Sequence, residues 1–319
     1  MENNPANTPS RRDNLLANVA VLYYGEAMTQ SDIAKRIGVS RASVVTYLRE
    51  GRERGIVDIQ INGRALASSS LAHDLRAKFD LVDVYVAHYE QERSALKQTS
   101  HVAAMAFLDI ISPGDHIGVA WGETVKNIAD QLPNVLIPGT FVTQIIGAMH
   151  STRLFSAQAC SIQIASRIGA ECFTLHAPAI LSSAELASSL RREPTIKAQL
   201  EHLDTLDVVL FSVGDCSKTT HLAAAGIVSP RDLSQARKKG AKGVVCSRFI
   251  DGNGKQLDLE INERLIAIEI ATLENTAKKI LVAASMAKFE AVKAALFGNL
   301  ATHLVVSEQL AMALMESST

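Results

Sequence analysis

The sequence predicts two domains of different class: an N-terminal all-α helix-turn-helix, and a C-terminal α/β domain built on a doubly wound parallel sheet. Three observations lead to this prediction. The chain has 319 residues, which is comfortable for two domains. Short, capped helical segments fill residues 13–57, and from residue 82 onward apolar strands alternate with helices. Alternation of strand and helix is typical of a parallel sheet with helices on both faces.

Composition divides the chain further. Residues 1–12 are rich in Asn and Pro and predict a disordered tail, and the small, polar stretch GRALASSS over 63–70 predicts a linker. The helix-turn-helix domain is then expected over 13–62 and the α/β domain over 71–319. Residues 1–64 carry nine Lys/Arg against seven Asp/Glu, whereas the remainder has a net charge of −3. This asymmetry is too weak to indicate DNA binding by itself.

The first domain shows the start and stop signals of three helices. Apolar residues at helical spacing predict a helix over 13–28. Thr29 is the expected N-cap of a second helix, and Gly38 ends it as a left-handed C-cap does. Ser40 caps a third helix, which runs from about residue 41 to 54. Apolar and polar residues alternate over 57–61, as in a short strand. A winged domain needs two such strands and only one is visible, so the presence of a wing is left open. The predicted buried seam is Ile33, Ile37, Val39, Val44 and Leu48, and Ala34 is the small residue expected where two helices cross closely.

The third helix has the features of a DNA recognition helix. Its N-terminal half exposes the side chains that such a helix presents to base edges in the major groove. Arg41 can donate two hydrogen bonds to guanine, and Arg49, Arg52 and Arg54 are placed to meet phosphates. The alternative is an ordinary helical hairpin with a charged, solvated face. The predicted DNA contacts are Thr29, Gln30, Ser40, Arg41, Ala42, Ser43, Thr46, Tyr47, Arg49 and Arg52.

In the second domain, predicted strands alternate with predicted helices. Strands are predicted over 82–87, 117–120, 141–146, 172–175, 208–213, 280–284 and 303–306. The clearest helices are predicted over 70–79, 102–111 and 157–168, with another ending at Leu132. Ligands of such sheets bind at the carboxyl ends of the strands.

Two of these carboxyl ends carry groups suited to an anion. The loop GVAWGET over 118–124 joins a strand to a helix, where backbone N–H groups and the helix dipole favour phosphate. Gly122 permits close approach and Thr124 adds a hydroxyl, whereas the Glu123 carboxylate is expected to turn outward. Lys288 begins another helix and supplies a point charge. Plain turn chemistry and a surface lysine are the alternatives.

Other polar residues complete the predicted effector site. Asp215 and Gln144 are candidates for binding sugar hydroxyls, although Asp215 alternatively caps the next helix. Arg248 is a second candidate cation, with a salt bridge to Asp251 or Glu260 as the alternative. The full predicted set is Gly122, Glu123, Thr124, Gln144, Gly147, Asp215, Arg248 and Lys288.

Several function classes are not indicated. The four cysteines contain no C-x-x-C pair, and the histidines show neither Ser-His-Asp nor metal-ligand spacing. We therefore expect no catalytic residues, no metal and no cofactor. No apolar run reaches the roughly 18 to 20 residues of a membrane helix, and the polar start lacks a signal-peptide pattern. The expected location is the cytoplasm.

With these motifs in place, the sequence resembles the SorC family of sugar-responsive bacterial regulators. The resemblance rests on TQSDIA (29–34), GVSRASV (38–44), GVAWGET (118–124), HAPA (176–179), GAKGVVCSRFIDGNG (240–254) and AASMAKFEAVKAAL (283–296). It implies a C-terminal domain related in fold to sugar-phosphate isomerases. It also implies operator binding controlled by a sugar, polyol or sugar phosphate, in a homo-oligomer, either dimer or tetramer. The expected function is regulation of a carbohydrate catabolic operon, without enzymatic activity.

The sequence also departs from the family pattern. Val45, Thr46 and Tyr47 replace the usual Ser-Arg-Leu, which changes the expected base preference. Four glycine positions of the family pattern carry side chains here, in the segments Ser212–Asp215, Ala284–Ser285 and Gly147–Ala148, so the effector can differ from the commoner ones. The alternative function is a sugar-phosphate isomerase or lyase with an accessory helical domain, because a fold does not fix a function.

Overall fold

The computed structural model describes residues 11–26, 28–57, 70–88, 94–149, 156–217 and 220–317. Its contacts divide the chain into two compact units, residues 1–60 and 61–319, and each unit is described by itself. Most of the predicted tail, the predicted linker up to residue 69 and all but the first residue of the strand expected over 57–61 lie outside the described residues.

The N-terminal unit is helical. Its helices are α1 (Arg11–Ala20), α2 (Gln30–Ile37) and α3 (Arg41–Glu53). The prediction of one helix over 13–28 is wrong at both ends. The helix begins earlier, where the Arg12 guanidinium pairs with the Glu50 carboxylate of α3. After Ala20 the chain widens into a π-helical turn, and the Met28 N–H then bonds back to the Leu22 carbonyl at 3.0 Å.

The predicted caps of this unit are confirmed. The Thr29 hydroxyl accepts the Asp32 N–H at 3.2 Å, and the Ser40 hydroxyl accepts the Ser43 N–H at 3.0 Å. Gly38 has φ 70° and ends α2 in the left-handed conformation, which glycine adopts without steric cost. The predicted seam is confirmed as well, with the buried core formed by Val19, Leu22, Ile33, Ala34, Val44 and Leu48.

The second unit contains ten strands and twelve further α-helices among its described residues. The strands are β1 (Asp83–Ala87), β2 (His116–Val119), β3 (Phe141–Gln144), β4 (Glu171–Phe173), β5 (Val208–Phe211), β6 (Val213–Gly214), β7 (Gly243–Val245), β8 (Arg248–Ile250), β9 (Lys278–Ala283) and β10 (His303–Ser307). The helices are α4 (Ser70–Phe79), α5 (Ala95–Ile110), α6 (Glu123–Gln131), α7 (Ala157–Ile168), α8 (Ala184–Arg192), α9 (Pro194–Glu201), α10 (His221–Ala224), α11 (Pro230–Lys238), α12 (Ile261–Arg264), α13 (Ile270–Asn275), α14 (Phe289–Phe297) and α15 (Glu308–Glu316).

Seven of the strands form one parallel sheet, as predicted. Its order is β1-β10-β9-β5-β2-β3-β4, and every pairing in it is parallel. After β2 the chain adds β3 and β4 on one side and then returns to place β5 on the other side. Strand order therefore reverses between β2 and β5. In open α/β sheets a crevice forms beyond the carboxyl ends of the strands at such a point.

A second, three-stranded antiparallel sheet was not predicted. Its order is β6-β7-β8. The single strand expected over 208–213 is instead divided at Ser212, whose hydroxyl donates to the Val282 carbonyl at 2.6 Å. Val213 then leaves the large sheet and pairs with Val245. Apolar residues stand on both sides of Ser212, so the hydrophobic pattern does not show that one strand ends and another begins there.

Burial explains why these segments form strands. All four residues of β5, Val208–Phe211, are buried, as are the four residues of β2. Strands covered on both faces read as continuous apolar runs rather than alternating ones. No helix in the described part of the chain is both long and apolar enough to span a membrane.

Candidate functional site

A cavity of about 630 Å³ opens beyond the carboxyl ends of the central strands. This volume is typical of a site for a small molecule. Its walls come from the segments that follow β2, β5 and β9, from the β7–β8 turn and from the start of α5. The lining includes Leu96, Ala120–Thr124, Ile146, Ser212–Asp215, Thr220–Leu222, Val244, Cys246, Ser247, Ala284–Lys288 and Gln309.

Lys288 lies at the polar centre of this cavity. Its Nζ donates to the Thr124 hydroxyl at 3.1 Å and to the Ser212 hydroxyl at 2.9 Å. Ser212 is oriented in turn by its own bond to the Val282 carbonyl. These contacts draw together the segments after β2, β5 and β9 around one ammonium group. The structure therefore brings Lys288 and Thr124 together.

Burial in the cavity makes the Lys288 side chain easier to deprotonate. Burial lowers the pKa of Lys288 to about 8, although the nearby carboxylates of Asp215 and Glu123 act in the opposite direction. Both carboxylate residues are half-buried members of the lining. An anion bound beside Lys288 would stabilise the charged form, so anion binding and protonation of this lysine are coupled.

Gly122 places the start of α6 at the same cavity. Its φ of 105° and ψ of 173° lie in a region that is essentially restricted to glycine. A Cβ there would meet open space, so the requirement is conformational rather than steric. The Lys126 N–H bonds back to the Gly122 carbonyl at 2.9 Å and closes the first turn of the helix. The positive end of the helix dipole thus lies beside Lys288, an arrangement suited to phosphate.

Asp215 belongs to the same wall. Its Oδ1 accepts the Ser217 N–H at 2.7 Å, so the carboxylate also stabilises its own turn. The residue lines the cavity, and its charge raises the pKa of Lys288. The predicted alternative, a cap for the next helix, is wrong, because the N-cap of α10 is Thr220 and the Asp215 carboxylate stabilises only the local turn at Ser217.

Gln144 and Gly147 are corrections, since neither lines the cavity. The buried Gln144 amide donates to the Ile146 carbonyl at 2.6 Å and accepts the Leu175 N–H at 3.3 Å. Gly147 is required for packing, because a Cβ there would lie 2.6 Å from the Ala177 carbonyl oxygen. Both residues hold the backbone behind the cavity.

Arg248 is also a correction. Only 1% of its side chain is exposed, its Nε donates to the Ile268 carbonyl at 2.9 Å and its Nη2 pairs with Glu269 at 2.5 Å. It is absent from the cavity lining. A salt bridge is the right alternative, but the partner is neither Asp251 nor Glu260. Arg248 fastens β8 to the segment before α13.

Sequence reasoning missed four lining residues with hydroxyl groups, Ser212, Thr220, Ser247 and Ser285. Ser212 was singled out only as a departure from a family glycine, yet that departure supplies a hydrogen-bond partner for Lys288. Ser247 lies in the β7–β8 turn, which belongs to the sheet that was not predicted. The unusual pair Cys246–Ser247 between two apolar strands was the available signal.

The described residues provide no obvious metal or thiolate chemistry. No three His, Cys, Asp or Glu side chains within them are grouped as a metal site. Cys246 lines the cavity, but burial raises the pKa of its thiol to about 12. The thiol therefore stays protonated near neutral pH.

The N-terminal unit presents α3 as the candidate nucleic-acid interface. Arg41, Ala42 and Thr46 are exposed at its N-terminal half. The Arg41 Nε contacts the Gln30 amide oxygen at 3.4 Å, and the Thr46 hydroxyl donates to the Ala42 carbonyl at 3.1 Å. Arg49 and Arg52 are exposed nearer the end of the helix, with Arg49 3.8 Å from Glu53. Exposed cations along one helix are available to bases and phosphates.

Tyr47 of α3 and Arg54 at its C-cap also make structural contacts, and DNA contact by either residue stays a prediction. The Tyr47 ring packs against the helical core, and the Arg12 guanidinium lies 4.5 Å from its centroid, so this ring has a structural role. Arg54 pairs with Glu50 at 2.7 Å and with Asp13 at 2.9 Å, which ties α3 to α1 rather than leaving a free cation.

The comparisons with known proteins extend over both units. The family model described as "Putative sugar-binding domain" matches residues 64–316. The transcriptional regulator YjhU of Escherichia coli (strain K12) is 30% identical over 97% of this chain and 96% of its own length. The deoxyribonucleoside regulator of Bacillus subtilis (strain 168) is 27% identical over 95% and 98%. The crystal structure of the full-length sorbitol operon regulator SorC from Klebsiella pneumoniae has a TM-score of 0.72 and 27% identity, covering 96% of this chain and 100% of that one.

Proposed function

The chain belongs to the SorC family of sugar-binding bacterial transcriptional regulators, and on that basis we propose that it controls a carbohydrate catabolic operon through a phosphorylated sugar or polyol. The N-terminal unit reads operator DNA, and the cavity of the second unit binds the effector. Relatives over nearly the full length are named as regulators of a sorbitol operon and of deoxyribonucleosides. The protein acts in the cytoplasm, where its operator is.

The observation that supports a phosphorylated effector is the position of Lys288. A buried ammonium, two hydroxyls and the start of α6 converge within one cavity. A dianionic phosphate can accept hydrogen bonds from the Lys288 ammonium and the Thr124 hydroxyl, and it carries the charge that the lysine and the helix dipole favour. The Ser212 hydroxyl already donates to the Val282 carbonyl, and its role is to orient the lysine. The apolar wall, which includes Trp121 and Met286, then covers the carbon skeleton.

Recognition of an operator requires more than one helix-turn-helix. A single recognition helix reads a short site, and paired units read half-sites one helical turn or a multiple of it apart. We therefore propose a homo-oligomer, dimer or tetramer, on DNA. Sedimentation at micromolar protein concentration, with and without the operator, tests this, and a species that stays monomeric in both conditions contradicts it.

The function is tested by selecting an operator from fragments of the source genome and then titrating effectors. Fluorescence anisotropy of the selected fragment is measured with sorbitol, ribose, sorbitol 6-phosphate, ribose 5-phosphate and 2-deoxyribose 5-phosphate. A phosphorylated compound is expected to shift operator affinity while its unphosphorylated partner does not. Turnover of the same sugar phosphates, followed by chromatography, separates this function from the isomerase or lyase alternative.

A further inference from the structure

The β7–β8 turn contains a hydroxyl that the protein itself leaves unused. The Ser247 Oγ is buried and has no hydrogen-bond partner among the described residues. Only 2% of the residue is exposed, yet it is one of the residues that line the cavity. A buried polar group without a partner is unfavourable, and such exceptions call for an explanation.

The backbone of the same turn is strained. Val245 pairs with Arg248, so Cys246 and Ser247 form a two-residue hairpin loop. Their φ angles of 48° and 70° are both positive, as in a type I′ turn, where Asn-Gly or Gly-Gly is preferred. Neither residue is glycine, so the turn keeps two side chains in a sparsely populated conformation. Strain of this kind persists where the surroundings impose it, and it clusters at ligand sites.

The surroundings that impose this turn are rigid. The Arg248 guanidinium next to it is anchored to the Ile268 carbonyl and to Glu269. On the other strand, Val213 pairs with Val245 and directly follows Ser212, the hydroxyl partner of Lys288. The turn is thus fixed beside the polar centre of the cavity. A change of the single χ1 torsion of Ser247 redirects its hydroxyl without backbone movement.

From the unpaired hydroxyl, the strained turn and their place in the cavity wall, we propose that Ser247 is a specificity-determining residue that hydrogen-bonds a hydroxyl of the effector. The inference rests on the proposed function, since it assigns a contact within the same cavity. A neutral hydroxyl suits a sugar or polyol hydroxyl, because each group both donates and accepts. Phosphate recognition stays with Lys288 and the start of α6.

The chain offers a matched control for this residue. Ser100 in α5 is also buried, and its Oγ also has no partner among the described residues, but it does not line the cavity. Ser247→Ala and Ser100→Ala each delete an unpaired buried hydroxyl. Neither variant is expected to unfold at a lower temperature than wild type. Only Ser247→Ala is expected to change effector binding.

The experiment is calorimetric titration of the full chain with sorbitol, sorbitol 6-phosphate, ribose 5-phosphate, 2-deoxyribose 5-phosphate and inorganic phosphate. For the tightest sugar phosphate, Ser247→Ala should weaken binding about fivefold, the size of one neutral hydrogen bond. Inorganic phosphate should bind both proteins equally, and Ser100→Ala should behave as wild type does. Ribose 5-phosphate and its 2-deoxy analogue also show whether the hydroxyl at position 2 is the one recognised.

Three results would overturn the assignment. Equal affinity of Ser247→Ala and wild type for the sugar phosphate would remove the contact. A clear fall in the unfolding temperature of Ser247→Ala alone would mean that the hydroxyl is structural. Weaker binding of inorganic phosphate would place Ser247 at the phosphate instead. If wild type binds sorbitol but none of the phosphorylated compounds, the phosphate proposal fails, and the same comparison with sorbitol decides the role of Ser247.

Discussion

The recognition helix α3 and the effector cavity each present a cationic side chain, but one is exposed and the other is buried. Arg41 of α3 is exposed and stands beside Gln30, whereas Lys288 is held by two hydroxyls inside a cavity that lowers its pKa to about 8. An exposed arginine gains its binding energy from the partner that it meets. A buried lysine is already oriented, and its charge depends on what occupies the cavity. Substitutions should therefore separate the two regions.

The largest effect is expected from Lys288→Met, which keeps the length of the side chain and removes the charge. Loss of a buried, hydrogen-bonded cation should weaken sugar-phosphate binding by about 100-fold, within the range for breaking a buried charge pair. Calorimetric titration measures this, and operator affinity without effector should stay at the wild-type level. Lys238→Met, at an exposed lysine of α11, is the control. Wild-type effector affinity in Lys288→Met would mean that the site is misplaced.

Arg41→Ala tests the other region. It should cost about 1 to 3 kcal/mol of specific operator binding, the value of a bidentate base contact, and should relax the sequence preference at one position. Because Arg41 is exposed, the unfolding temperature should not change. Arg52→Ala is the comparison, since loss of a phosphate contact weakens binding to all sequences alike. Footprinting with unchanged preference in Arg41→Ala would show that this arginine does not read bases.

The pH dependence of effector binding sharpens the contrast. Lys288 is charged below its pKa of about 8 and becomes neutral above it. A phosphate monoester is already mostly dianionic at pH 7, so affinity should fall by about tenfold between pH 7.5 and 9.5 as the lysine loses its proton. Titrations across this range should show the decrease in wild type and a flat profile in Lys288→Met. A flat profile in wild type would contradict the role of the lysine charge.

A last comparison concerns the stability effect of one glycine from each region. Gly38→Ala puts a side chain into a left-handed C-cap, at a cost of about 1 kcal/mol. Gly122→Ala puts one into a conformation restricted to glycine and should cost about 1 to 3 kcal/mol of unfolding free energy. Denaturant unfolding measures both. Only Gly122→Ala should also weaken effector binding. Equal effector affinity in the two variants would show that the start of α6 does not contact the ligand.

The sequence predicted what depends on local signals. Thr29, Gly38 and Ser40 are read from residue type and spacing, and the parallel sheet follows from the alternation of apolar runs with helices. The order of the strands, and the division of β5 from β6 at Ser212, depend on pairing between segments far apart in the chain. Local patterns carry no record of such pairing.

The same limit explains the successes and errors at the cavity. Lys288 and Thr124 were predicted because strand ends of a parallel sheet meet at one edge. Arg248 and Gln144 also follow or belong to strands, but their side chains are used by the Ile268 and Ile146 carbonyls. Tertiary contacts decide which polar side chains form hydrogen bonds within the protein and which are left to bind a ligand. Ser247 belongs to the groups left for a ligand, and although the pair Cys246–Ser247 between two apolar strands marks a turn, only the tertiary contacts show that its hydroxyl has no partner among the described residues.

The most direct test of the account is the response of operator binding to effector in wild type and in Lys288→Met. Operator affinity is measured by fluorescence anisotropy with and without the sugar phosphate that binds most tightly. Coupling between two sites is typically about 1 to 3 kcal/mol, so at least a fivefold change in operator Kd is predicted for wild type, and none for Lys288→Met at the same concentration. An operator Kd that no bound sugar phosphate alters, or an unchanged response in Lys288→Met, would contradict it.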